Sequence, residues 1–109
     1  MNKTLPLSTL ALALAAALPG AALAGDAAAG RQKAQMCAVC HGPMGIAAAP
    51  ETPNLAGEPE GYIGRQLRAF RSGKRQHEVM NVIAKSLSDE DIDNVAAWFN
   101  SIKVTATAP

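Results

Sequence analysis

The stretch "QMCAVCHG", Gln35 to Gly42, decides how this chain is read. It holds the only two cysteines, Cys37 and Cys40, with two residues between them and His41 directly after. Four chemistries use such a pair. A disulfide would close a very small loop and constrain little of the unfolded chain. A thioredoxin-like redox couple belongs in a βαβ context, and no stretch here alternates as a strand does. Zinc needs four ligands of suitable geometry, and beyond the thiols only His41 and His77 are available, with His41 adjacent to Cys40. The fourth chemistry is covalent haem attachment, for which C-x-x-C-H is the c-type signature. Each thiol then joins one vinyl group of the porphyrin, and the following histidine meets the iron. Attachment accounts for every residue of the motif; the other three leave some unexplained.

Working outward, "DAAAGRQKAQMCAVC" is expected to be one helix, with Asp26 as N-cap of an alanine-rich run. Gly30 falls mid-helix, where glycine costs about 1 kcal/mol relative to alanine. On the other side, Cys40 to Glu60 is rich in Gly, Pro and Ala and has no sustained period. A loop of this length in a small domain is uncommon unless it is functional or wraps something. "PEGYIGRQLRAFRSG" reads as the next helix, with Pro59 at its first turn, Gly73 as its stop, and Ile63, Leu67 and Phe70 on one face. Met80, Ile83 and Leu87 have helical spacing. Ser88 and Asp91 then form a capping box for a last helix that buries Ile92, Val95, Phe99 and Ile102. The expected fold class is all-α.

Residues 1–24 stand apart. A basic start, an apolar run broken by Pro6 and Pro19, and the small-x-small triplet Ala22-Leu23-Ala24 fit a secretory signal peptide cut before Gly25. The run falls short of the roughly 20 residues of a spanning helix, so no stable membrane insertion is expected after cleavage. Residues 25–109 then form one small domain. Its aromatic residues are few (Tyr62, Phe70, Trp98, Phe99), so a large apolar group would usefully fill its middle. The ten Lys and Arg nearly balance nine Asp and Glu, which argues against nucleic-acid binding. The charges are nonetheless segregated. Arg65, Arg68, Arg71, Lys74 and Arg75 cluster in one segment, as a solvated face or a docking patch, and Asp89, Glu90, Asp91 and Asp93 cluster in another.

Together, "GDAAAGRQKAQMCAVCHG", "PNLAGEPEGYIGRQLRAFRSGKR" and "LSDEDIDNVAAWF" make the chain resemble the class I c-type cytochromes, in particular bacterial cytochromes c553 and one half of the two-haem cytochromes c4. The resemblance implies a small cytochrome c fold, with helices and an irregular loop around one haem c held by Cys37 and Cys40. It implies that the first and last helices cross with Gly30 against Trp98 or Phe99. It makes His41 an iron ligand, with its ring fixed by the Pro53 carbonyl, and places the methionine ligand at Met80. Met36 adjoins Cys37 and Met44 follows His41 closely, so neither easily reaches the opposite face. Three alternatives stay open: Met80 is plain core beside Ile83 and Leu87, His77 is the sixth ligand, or the iron is open on one side. Without bound haem, an apolar slot is expected beside Cys37, Cys40 and His41.

The function so implied is a periplasmic one-electron carrier, not an enzyme. Its expected partners are redox proteins such as a terminal oxidase, a cytochrome bc1 complex or a periplasmic dehydrogenase, and the expected state is a monomer or weak dimer. The alternatives are a cytochrome subunit bound permanently to a dehydrogenase, or a haem protein with an open or bis-histidine iron.

Overall fold

The computed structural model describes residues 24–109, with Met1 and Ala16 as isolated positions. The expected signal peptide therefore lies almost wholly outside the described residues. Among those residues there is no strand, and the elements are α1 (Ala27–Lys33), a 3₁₀ turn (Ala34–Met36), α2 (Ala38–His41), α3 (Glu60–Ser72), α4 (Glu78–Lys85) and α5 (Asp89–Ser101). No helix among them is long and apolar enough to cross a membrane.

The helix ends obey the capping chemistry of the sequence. The Asp26 carboxylate accepts from the Ala28 and Ala29 amides at 2.8 and 3.1 Å. At α5, Ser88 Oγ accepts from the Asp91 amide and Asp91 Oδ2 accepts from the Ser88 amide, both at 3.0 Å. Each such cap satisfies amides that a helix start otherwise leaves unpaired. Gly73 closes α3 in the left-handed region at φ 81°. The single helix expected over 26–40 is instead broken. The Cys37 amide bonds back to Ala34 at 2.9 Å, a tighter 3₁₀ pattern, and the chain restarts as the short α2. Overwound turns of this kind are common where an α-helix ends.

The core is built from Ala34, Ile63, Leu67, Leu87, Ile92, Val95, Ala96 and Phe99. α1 lies across α5, and α3 packs on both α4 and α5. The α5 stripe is as the periodicity requires, except that Ile102 lies just past the helix end and is half-buried. Gly30 sits at the α1–α5 crossing, where a β-carbon would run into the Asn94 carbonyl and meet Trp98 Cβ at 3.0 Å. Trp98, not Phe99, is thus its close side-chain neighbour. Gly30→Ala gains about 1 kcal/mol of helix propensity but pushes two backbones apart. We expect a net destabilisation of about 1–3 kcal/mol, read as a fall in thermal midpoint of roughly 4–8 °C per kcal/mol for a domain of this size.

The charge clusters meet each other. Arg68 pairs with Asp93 at 2.9 Å and Asp89 at 3.6 Å. Arg71 pairs with Asp89 and also donates to the Leu87 carbonyl at 3.2 Å. Lys33 reaches Asp91 at 3.3 Å. The Arg71 hydrogen bond, and then its charge, hold the Asp89 carboxyl below its ordinary value. Such exposed pairs add little stability singly, but they fix α1 and α3 against the first turn of α5. Arg75 is also occupied, bonding Gln66 Oε1 at 2.7 Å and standing over the Phe70 ring at 4.5 Å. The five-residue basic patch is therefore largely consumed within the fold, because the acidic first turn of α5 lies opposite. Arg65 and Lys74 are the members outside these contacts.

Candidate functional site

Cys37 and Cys40 flank the first turn of α2, and His41 ends it. The His41 amide bonds back to the Cys37 carbonyl at 2.9 Å, so the motif is one wound turn. Both thiols are free; Cys37 is half-buried and Cys40 exposed. Burial pushes the Cys37 thiol up to about 11, which keeps it protonated near neutral pH.

His41 is 9% exposed, the one buried polar side chain among the described residues. Its Nδ1 lies 2.8 Å from the Pro53 carbonyl oxygen. A carbonyl can only accept, so Nδ1 carries a proton, and in the neutral imidazole Nε2 then keeps its lone pair. This is the state a metal-binding imidazole requires, and the carbonyl fixes the ring that presents it.

The loop after α2 folds back on itself to deliver Pro53. The Cys40 carbonyl accepts from the Ala48 and Ala49 amides at 3.0 and 3.1 Å. Gly45 O accepts from Leu55 and Ala56 at 2.7 and 3.0 Å, and Asn54 Oδ1 accepts from Ala47 at 2.7 Å. The Gly57 amide then donates to the Phe99 carbonyl at 2.8 Å, tying the loop to α5.

Met80 stands on α4, half-buried, and packs against the same core cluster as Cys37, Leu55, Trp98 and Ile102. Its amide is held by His77, whose Nδ1 accepts from Val79 at 3.3 Å and Met80 at 3.2 Å and so caps α4. The His77 ring also stands edge-on to Phe70, with centroids 6.5 Å apart. Asn81 completes the clamp: its Oδ1 accepts from the His77 amide at 2.7 Å, and its Nδ2 donates to the Phe70 and Arg75 carbonyls at 2.7 and 2.8 Å. Neither of these two positioning residues is signalled by the sequence. Histidine is not among the usual N-caps, and Asn81 lies inside a helix where its side chain gives no local signal.

The large exposed apolar side chains concentrate in segments beside these groups. Val39 lies within the motif, Met44 and Ile46 come directly after it, and Val79 and Val82 flank Met80 on α4. The apolar slot expected beside Cys37, Cys40 and His41 has a partial counterpart in an open hollow of about 220 Å³ lined by Ala34, Gln35, Ala38, Pro43, Met44 and Trp98, beside the motif but without the three named residues in its lining. A larger hollow, of about 620 Å³, lies over Ala27, Ala28, Arg31, Gln32, Gln35 and Trp98. Two free thiols at the x-x spacing, a fixed imidazole with a free Nε2, a thioether and an apolar surround are a donor set that fits covalent haem.

Comparison with known proteins agrees. The profile of the cytochrome c family matches residues 27–103. The chain belongs to the cytochrome c family. It is 42% identical over 77 residues to cytochrome c4 of Pseudomonas aeruginosa, covering 71% of this chain and 38% of that protein. It is 43% identical over 76 residues to cytochrome c-554(548) of Halomonas halodenitrificans, covering 67% of this chain and 92% of that one. It is also 49% identical over 71 residues to a thiosulfate dehydrogenase electron acceptor of Stutzerimonas stutzeri, covering 63% of this chain and 32% of the relative. This cytochrome thus spans well under half of its cytochrome c4 relative and nearly all of the c-554(548). Among solved structures, reduced cytochrome c4 from Pseudomonas stutzeri superposes with a TM-score of 0.69 at 38% identity, over 73% of this chain and 47% of that one. The fold is therefore the cytochrome c fold, of the class I c-type. Membership implies covalent haem c, with Cys37 and Cys40 at the attachment spacing.

Proposed function

We propose that this cytochrome is an exported, periplasmic carrier of single electrons with one haem c, bound through Cys37 and Cys40 and ligated by His41 and Met80. The observation that carries this is the His41 Nδ1 bond to Pro53, which leaves Nε2 free one residue after the attachment cysteine. When bound, the haem supplies an iron that takes up and gives back one electron. His41 contributes the nitrogen ligand, made more basic by the carbonyl behind it. Met80 contributes a soft sulfur that favours the reduced metal and raises the potential. His77 supports the methionine reading, since its Nδ1 accepts from the Val79 and Met80 amides, so that the neutral ring holds its proton on Nε2 and offers no lone pair to a metal in this position. With His41 and Met80 both given to the iron, the chain would leave substrate no open site, and the protein would act as a shuttle, not an enzyme. Val39, Met44, Ile46, Val79 and Val82 are exposed in the bare chain and would help exclude water from a haem seated beside them.

The donor and acceptor are redox proteins, such as a periplasmic dehydrogenase on one side and a bc1 complex or terminal oxidase on the other. A second reading has its own observation. The thiosulfate dehydrogenase electron acceptor of S. stutzeri is a relative, and thiosulfate dehydrogenase TsdBA from Marichromatium purpuratum superposes with a TM-score of 0.68 over 86% of this chain. A dehydrogenase-associated carrier fits that likeness. The test is a redox titration of the native exported protein together with a haem count. We expect one haem per chain and a single one-electron wave, with no ferrous spectral shift under carbon monoxide. Two haems per chain, or a carbon monoxide complex in the intact protein, would overturn the proposal. Co-purification with a dehydrogenase in fixed stoichiometry would select the second reading.

A further inference from the structure

The first folded residues of the domain sit in a corner made by three segments. The Gly25 amide nitrogen lies 3.2 Å from Glu60 Oε1, at the first residue of α3. The next amide, of Asp26, donates to Asn94 Oδ1 on α5 at 2.7 Å. A β-carbon on Gly25 would run into the Asp93 carbonyl, so the chain lies directly on the α5 backbone here. Asp93 is itself engaged by Arg68 at 2.9 Å, which leaves Glu60 as the carboxylate aimed at the Gly25 nitrogen. Ala24, directly before, is exposed.

In the uncut chain Gly25 offers Glu60 one neutral N–H. Hydrolysis of the Ala24–Gly25 bond consumes one water, leaves a carboxylate on Ala24, and gives Gly25 an amine that is protonated near neutral pH. We propose that this cut turns a contact with one charged partner into an ion pair: the new α-ammonium of Gly25 lodges on the Glu60 carboxylate, and processing completes the N-terminal corner of the domain. The inference rests on the export reading under Proposed function and on the Ala22-Leu23-Ala24 triplet. The Glu60 carboxylate already makes the uncut contact a charge-assisted one, and cleavage adds the attraction of a second, opposite charge. It would tie the start of α1 to the start of α3 across α5.

The experiment uses the exported holoprotein. Intact mass gives the N-terminus, and equilibrium unfolding compares four forms: wild type, Glu60→Gln, a variant with one extra alanine between Ala24 and Gly25 that keeps an amide at Gly25, and the two changes combined. Glutamine preserves the shape and the acceptor, so the cycle isolates charge pairing from the helix-dipole effect of Glu60. We expect an N-terminus at Gly25. Each single change should lower the folding equilibrium constant roughly two- to five-fold at low salt. The combined form should fall no further than either single change, and the differences should shrink as salt is raised. An N-terminus elsewhere would overturn both the cut and the pair. An N-terminus at Gly25 with additive effects, or with none, would overturn the pair and leave the export reading standing.

Discussion

Replacing Cys37 and Cys40 together by alanine should release the haem: acid-acetone should then extract all the colour, whereas from wild type the colour should stay with the protein. The two free thiols at either end of one wound turn motivate this, since they place one sulfur half-buried against the core and the other at the surface. Either single replacement leaves one attachment point, so some colour should stay bound at reduced yield. The effect on the fold should be large as well. The domain is small, and small domains are marginal without a staple or filler. Val39, Met44, Ile46, Val79 and Val82 all face water in the bare chain. Fully covering one such side chain stabilises by roughly 1.5–3 kcal/mol. A chain that cannot retain haem should therefore show weaker far-ultraviolet helicity and a lower unfolding midpoint than the holoprotein. Free extraction of the colour from wild type would show that the thiols are not attachment points.

Local chemistry was legible in the sequence, and most of it concerned helix ends. Asp26, Ser88 with Asp91, and Gly73 each act through neighbours within three residues, which a linear pattern displays. The attachment motif was legible for the same reason, being a single turn of chain. The Pro53 contact came from resemblance, because it lies twelve positions beyond His41 along an aperiodic loop. Tertiary approach set what could not be read. Arg68 meets Asp93 across 25 residues, and Arg71 meets Asp89 across 18. A basic segment in isolation looks free when its partners come from another helix. The break after Lys33 is a related case, since helical periodicity persists through a 3₁₀ turn that shifts the register of the residues beyond it. His77 is the clearest example. Sequence offered it as an alternative iron ligand, whereas its position just before α4 makes it the cap of the helix that carries Met80.

Met80→Ala should abolish the far-red methionine-to-ferric-iron band and open the iron to carbon monoxide. It should also lower the potential by on the order of 0.1–0.3 V, within the roughly 0.8 V range that axial ligands span. Removing a soft sulfur takes away the donor that favours the reduced metal, so the sign of the potential change is fixed. Met80 also packs against the core cluster, and methionine-to-alanine changes in a full core cost about 2–5 kcal/mol. Being half-buried, Met80 belongs at the lower end of that range, so stability alone would report little about ligation. His77→Ala separates the two roles. It removes the acceptor that holds the Val79 and Met80 amides, and loss of a helix cap costs about 0.5–2 kcal/mol. If Met80 is the ligand, His77→Ala should leave the far-red band in place on a less stable protein, and Met80→Ala should erase the band. The opposite pattern, with the band absent from wild type and the low-spin spectrum lost only in His77→Ala, would make the haem bis-histidine. Met80→His adds a check of sign: a low-spin iron should persist, closed to carbon monoxide, at a potential below that of wild type, because imidazole lacks the preference of thioether for the reduced metal.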